Sequence, residues 1–89
     1  MFEYIFGELK VKKVDYIALD INGLAYKIYI SLKTFEKLEE IGQKEKVYIH
    51  TNVKEDDISF YGFKTENERE LFKALISISG VGPKINESI

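Results

Sequence analysis

Residues 31–41 read SLKTFEKLEEI, and this stretch decides the fold. Leu32, Phe35, Leu38 and Ile41 recur every three residues among Lys and Glu, the spacing that keeps apolar side chains on one side of a helix. Ser31 or Thr34 supplies a cap, and Gly42 a stop. On both sides of this segment the period changes from three to two.

Upstream, Phe2, Tyr4 and Phe6 alternate with Glu3, Ile5 and Gly7, and the run continues through Leu9 and Val11. Gly7 in the middle of so long a strand predicts a bulge or bend of the kind that closes a small barrel. Val14 to Ile21 is a second strand, and Asn22-Gly23 is the strongest short hairpin signal, because a type I′ turn needs positive φ at both corners. Leu24 to Ile30 returns, with Leu24, Tyr26, Ile28 and Ile30 on its core face.

Downstream, Glu45 to Lys54 sends Val47, Ile49, Thr51 and Val53 one way and Tyr48, His50 and Asn52 the other. Glu55-Asp56-Asp57 makes a turn, and Ile58 to Phe63 forms a last strand. Three strands, a helix and two strands in residues 1–63 is the element order of an OB-fold, a five-stranded Greek-key barrel, so the chain is expected to be mainly β. An SH3-like barrel is the alternative; the helix between the third and fourth strands favours the OB-fold.

Residues 64–89 have a different character. Thr65 and Glu68 form a capping box, and Glu66, Glu68 and Glu70 sit where the helix dipole favours negative charge. Leu71, Phe72, Leu75, Ile76 and Ile78 then make an apolar stripe. Gly80-Val81-Gly82-Pro83-Lys84 ends this helix and opens another. A helix, a hairpin with an apolar residue between glycines, and a second helix describe a helix-hairpin-helix. Its main-chain N–H groups and helix N-terminus converge on a phosphate, with Gly80 and Gly82 allowing close approach and Lys84 adding charge. An ordinary glycine-capped helix corner is the plainer reading. Six residues follow Pro83, so the second unit is expected to be a truncated beginning.

Composition narrows the chemistry. Thirteen Lys and Arg against fifteen Asp and Glu give a net charge of −2, which excludes a generally basic nucleic-acid coat. The first 63 residues hold nine Lys against eleven acids, so the twelve aromatic residues have no basic groove beside them for single-strand binding, and most lie at barrel-core spacing. Without cysteine there is no disulfide, thiolate nucleophile or Cys-type zinc site. His50 has no second ligand at metal spacing and reads as structural. No triad, phosphate loop or pair of catalytic carboxylates can be assembled, so the chain reads as non-catalytic, with no cofactor and no metal. The first residues lack a basic signal region and no apolar run spans a bilayer, so a cytosolic location is expected. The acids at 55–57 admit two readings: a solvated turn, or a barrier that excludes phosphate. A carboxylate about 5 Å from a phosphate in water is repelled by about 0.8 kcal/mol.

The opening MFEYIFGEL, the hairpin strand NGLAYKIYIS, the segment VKEDDISFYGF and the helix ERELFKALISISGVGPK together resemble the RuvA family, the Holliday-junction-binding subunits of bacterial branch-migration machines. The resemblance implies a homotetramer that holds a four-way DNA junction and works in recombination and repair beside an ATP-driven helicase motor, RuvB. It places Glu55 and Asp56 on an acidic pin, with Asp57 an added acid, and Gly80, Val81, Gly82 and Lys84 on the first phosphate-gripping hairpin. After Lys84 the family continues with an alanine-rich helix, whereas this chain reads INESI. The second helix-hairpin-helix and the motor-binding domain are not in the sequence, so weak junction binding and no motor recruitment are expected. The alternative, from another class, is a stand-alone oligomerising OB interaction module whose acids only confer solubility.

Overall fold

The computed structural model describes residues 2–79. Five strands, β1 (Tyr4–Lys12), β2 (Tyr16–Ile21), β3 (Leu24–Tyr29), β4 (Lys44–Lys54) and β5 (Asp57–Phe63), are accompanied by α1 (Leu32–Phe35) and α2 (Glu66–Ser79). The strands close a barrel in the order β1-β2-β3-β5-β4. The β3–β5 pair is parallel and the other four pairs are antiparallel. The architecture is consistent with an OB-fold, and closure leaves no free edge along the barrel wall.

Alternation chooses the interior. Ile5 and Leu9 of β1, Ile17 and Leu19 of β2, Ile28 of β3, and Val47 and Ile49 of β4 are all buried, with Ile30 and Leu38 completing the cluster. This interior is aliphatic, contrary to the sequence expectation that most aromatics fill it. A five-stranded barrel is too narrow for many rings. Phe2, Tyr26 and Phe60 instead close one end, with Phe2 5.1 Å from Phe60 and 6.1 Å from Tyr26 between ring centroids. Leu24, expected on the core face, is exposed at the β2–β3 turn.

Two glycines and one turn explain how the strands approach. At Gly62 an added Cβ would lie 2.6 Å from Ile28 Cγ2, so the parallel β3–β5 contact requires a residue without a side chain. At Gly7 a Cβ would come within 2.8 Å of the Asp20 carbonyl oxygen. Gly7 thus admits β2 to close range, and the bulge expected there lies further along, where the β1–β2 register shifts between Leu9 and Val11. Asn22 and Gly23 have φ of 54° and 91°, as the turn signal required, and Gly23 N donates to Asp20 Oδ1 at 2.8 Å.

The helix expected over residues 31–41 is much shorter. Ser31 caps it, its Oγ accepting from Thr34 N at 3.2 Å, but regular helix ends at Phe35. The cause is a competing set of partners. The buried carboxylate of Glu45 accepts from Glu39 N at 2.8 Å, while Gly42 N donates to Leu9 O and Leu9 N to Gln43 O. These bonds draw the chain onto β1, leaving Leu38 buried and Ile41 exposed.

The α2 helix begins at the expected capping box: Glu68 N donates to Thr65 Oγ1 at 3.1 Å and Thr65 N to Glu68 Oε1 at 3.3 Å. It lies on the outside of the barrel. Phe72 is fully buried, its ring 5.2 Å from Phe63, 5.5 Å from His50 and 6.0 Å from Tyr61. Burial of that one side chain contributes about 2–3 kcal/mol to docking. Leu71 and Ile78, two turns apart, are exposed, so the expected stripe does not face the barrel as a unit.

A Gly62→Ala substitution is expected to lower stability by about 1–3 kcal/mol, through overpacking against Ile28; urea denaturation measures it. A pH effect follows from His50. Burial under Phe72, and then the charges of Lys73 and Arg69, hold its pKa below the ordinary histidine value. The unfolded chain therefore takes up the proton first, and stability falls as pH drops through about 6.5. Urea midpoints followed down from neutral pH are expected to decline through this window, and His50→Gln to remove part of the decline. Glu68 adds a separate loss at lower pH. Its burial raises the pKa, but the hydrogen bond and charge of Lys37 and the bonds with Thr65 outweigh this. Its pKa is lowered, so its contribution disappears as pH falls below the ordinary carboxylate range.

Candidate nucleic-acid interface

The β4 and β5 strands outrun their neighbours. Pairing of β4 with β1 runs from Glu8↔Lys44 to Tyr4↔Tyr48, with one further bond from Ile49 N to Glu3 O. On the other side, β5 meets β3 only at Ile28↔Phe60 and Tyr29↔Tyr61. The β4–β5 ladder nevertheless continues through Asn52↔Ser59 and Val53↔Ile58 to Lys54↔Asp57. These last rungs form a two-stranded ribbon that leaves the barrel wall by about 10 Å, at roughly 3.4 Å per residue.

The acids predicted to act together stand at the end of this ribbon. Glu55 and Asp56 are the two turn residues and Asp57 is the first of β5; all three are exposed. The turn is therefore two residues long, one fewer than the sequence suggested. Unlike Asn22-Gly23, neither corner takes a positive φ. Lys54 and Asp57 stand directly opposite each other on the last rung. Ser59 Oγ donates to Asp57 Oδ2 at 3.1 Å. Among the described residues no ion pair engages Glu55 or Asp56. Below the tip, Val53 and Ile58 are also exposed. Tyr61 registers the local field: burial raises its pKa first, followed by Tyr29 and Asp57, against a lowering hydrogen bond with Ser59.

The proposed phosphate-binding positions Gly80, Val81, Gly82 and Lys84 lie outside the described residues. His50, read from sequence as structural, packs edge-on against Phe72 at the foot of the ribbon. Several aromatics are on the outer wall instead of the core. Lys46 Nζ lies 4.2 Å from the Tyr4 ring and 5.1 Å from Tyr48, and Lys27 caps Tyr16 and Tyr29 at 4.6 and 5.2 Å.

Two buried charges escaped the sequence reading. Glu45 is 2% exposed and accepts from Lys64 Nζ at 2.6 Å as well as from Glu39 N and Lys46 N. It ties the α1 loop, β4 and the lead into α2 together, and its place on the inward parity of β4 with Val47 and Ile49 was the available signal. Arg69, the only arginine, is 6% exposed. Its Nη1 donates to Glu3 O and its Nη2 to Glu3 Oε2, both at 2.8 Å, and its Nε donates to Glu70 Oε2 at 3.0 Å. Burial alone would lower its pKa; the bonds to Glu3 and Glu70 overcome that and raise it. No helix among the described residues is long and apolar enough to cross a membrane.

Comparison with known proteins agrees with this geometry. The family model described as RuvA N terminal domain matches residues 1–62. A protein of Acetivibrio thermocellus named Holliday junction branch migration complex subunit RuvA is 48% identical over 89 residues, covering 100% of this chain and 44% of the relative. The proteins of the same name from Fusobacterium nucleatum and Geobacter sp. are 45% identical over 85 residues and 44% identical over 89 residues. These two alignments cover 96% and 100% of this chain, and 43% and 45% of the relatives. The chain thus spans less than half the length of the curated relatives it matches. A closed five-stranded barrel with an acidic ribbon, matched by the family model along the barrel, leads to one assignment: the chain belongs to the RuvA N-terminal domain family.

Proposed function

We propose that this chain is a non-catalytic part of a subunit that recognises four-way DNA junctions and supports branch migration in recombination and repair. The observation that carries the reading is the acidic ribbon projecting beyond the barrel with its two tip carboxylates free of ion pairs among the described residues. Similarity to proteins named as RuvA subunits of the Holliday junction branch migration complex supports it.

The mechanism divides attraction from repulsion. Residues 1–63 supply the barrel and pin, and residues 64–89 open a helix-hairpin-helix in which Gly80, Val81, Gly82 and Lys84 grip a duplex phosphate without reading bases. Glu55, Asp56 and Asp57 hold phosphates away. On one ribbon the effect is modest. Gathered from four subunits around a symmetry axis, the same acids would bar the centre of a planar junction and keep its arms open. The assembly is a homotetramer in the cytosol, and ATP-driven movement belongs to the partner motor RuvB, engaged by a part of the subunit beyond the segment matched here.

Neutralising the pin tests this. The triple variant Glu55→Gln, Asp56→Asn, Asp57→Asn is expected to bind linear duplex at least about fourfold more tightly, the factor for removing the roughly 0.8 kcal/mol of repulsion that a single carboxylate near a phosphate supplies. Four-way junction affinity should rise less, so selectivity falls. Fluorescence anisotropy at one fixed salt concentration measures both. No change with either DNA would overturn the junction reading and leave an oligomerising interaction module in its place.

A further inference from the structure

We propose that Arg69 is a positioning residue, which fixes the acidic ribbon relative to α2 and thereby sets the preference for four-way over linear DNA. The second half of this statement rests on the function proposed above; the first half does not.

The Glu3 carbonyl lies one residue before β1. That oxygen accepts from Ile49 N at 3.1 Å and from Arg69 Nη1 at 2.8 Å. Ile49 is where β1 lets go of β4, three residues before the ribbon begins at Asn52, so Arg69 extends the β1 side of the wall toward the ribbon. The next residue, His50, is paired with Tyr61, and both rings lie against Phe72, one turn beyond Arg69 on α2. The feet of both ribbon strands are therefore held by two neighbouring side chains of one helix.

On its other side α2 is tied to the α1 segment by Glu68, which pairs with Lys37 at 3.2 Å and Lys33 at 3.6 Å. Beside Phe72, a cavity of about 220 Å³ opens between α2 and the ribbon foot, lined by Phe2, Glu3, Ile49, Thr51, Arg69 and Lys73 among others. Thr51 Oγ1 is buried without a hydrogen-bond partner. Across this gap the directional contact is the guanidinium, whose planar fork reaches the Glu3 main chain and carboxylate together while its face lies 5.7 Å from the Tyr48 ring. Lysine has the charge but not the fork. Residue 69 is outside the aliphatic barrel core, so its replacement is expected to leave the barrel folded.

The chain has no cysteine, so spin labels can be placed at Asp56→Cys and Ser77→Cys without background thiols. Pulsed electron paramagnetic resonance is expected to give one narrow distance distribution in the parent. Arg69→Gln should give a broad one, and Arg69→Lys an intermediate one, with far-UV circular dichroism retained in both. An unchanged width in either folded variant overturns the positioning role. In a separate assay on chains without labels, Arg69→Gln is expected to reduce the ratio of four-way to duplex affinity by about threefold, within the range of couplings carried through packed networks. A broadened distribution with an unchanged ratio would overturn the link to selectivity. A parent chain with no junction preference would instead overturn the proposed function, and the distance measurement would still decide whether Arg69 holds the ribbon.

Discussion

The extra length of β4 and β5 over their barrel neighbours is the constraint from which the other features follow. The barrel closes where β1 can pair with β4 and β3 with β5. Beyond that limit the two long strands have only each other. Their ladder becomes a ribbon because the neighbours end, and a ribbon with no wall beside it can present charge to solvent without desolvating it. The same three acids inside the barrel wall would each require a buried partner, as Glu45 does.

That contrast shows how the chain handles charge. Glu45 and Arg69 are buried and fully engaged, one linking the α1 loop to the start of α2, the other linking α2 to the start of β1. Removing Lys64 would leave the buried Glu45 carboxylate without its charged partner, whereas the acids around Arg69 are more than half exposed and would return to water. The tip acids follow the opposite logic, since any protein cation bound to them would cancel the field they project. The buried ions are satisfied internally, while Glu55 and Asp56 at the tip engage no cation among the described residues.

Much of this was legible in the sequence. Two-residue alternation identified the strands, Asn22-Gly23 identified the β2–β3 hairpin, and Thr65 with Glu68 identified the start of α2. The failures share a cause, which is dependence on distant partners. The α1 helix stops early because Glu45 and β1 compete for its following N–H groups. The bulge is set by the register of β1 on β2 and not by the glycine in β1 alone. Alternation also separates the faces of a strand without saying how much room lies on the inner one, so the aromatics were misplaced. The acids at 55–57 could be read as a tip, but not as a projecting one, because projection depends on where β1 and β3 end. Arg69 was invisible for the strongest reason: its principal partner, Glu3, is 66 positions away.

Two of the barrel's hairpins, β2–β3 and β4–β5, solve the same steric problem differently. At Asn22-Gly23 the left-handed corner conformations match the natural strand twist, and the second corner carries no side chain. Glu55-Asp56 reverses the chain within the same number of residues while keeping a carboxylate on each corner. Backbone comfort has been exchanged for display: glycine would make a smoother reversal there, but would leave the apex without charge.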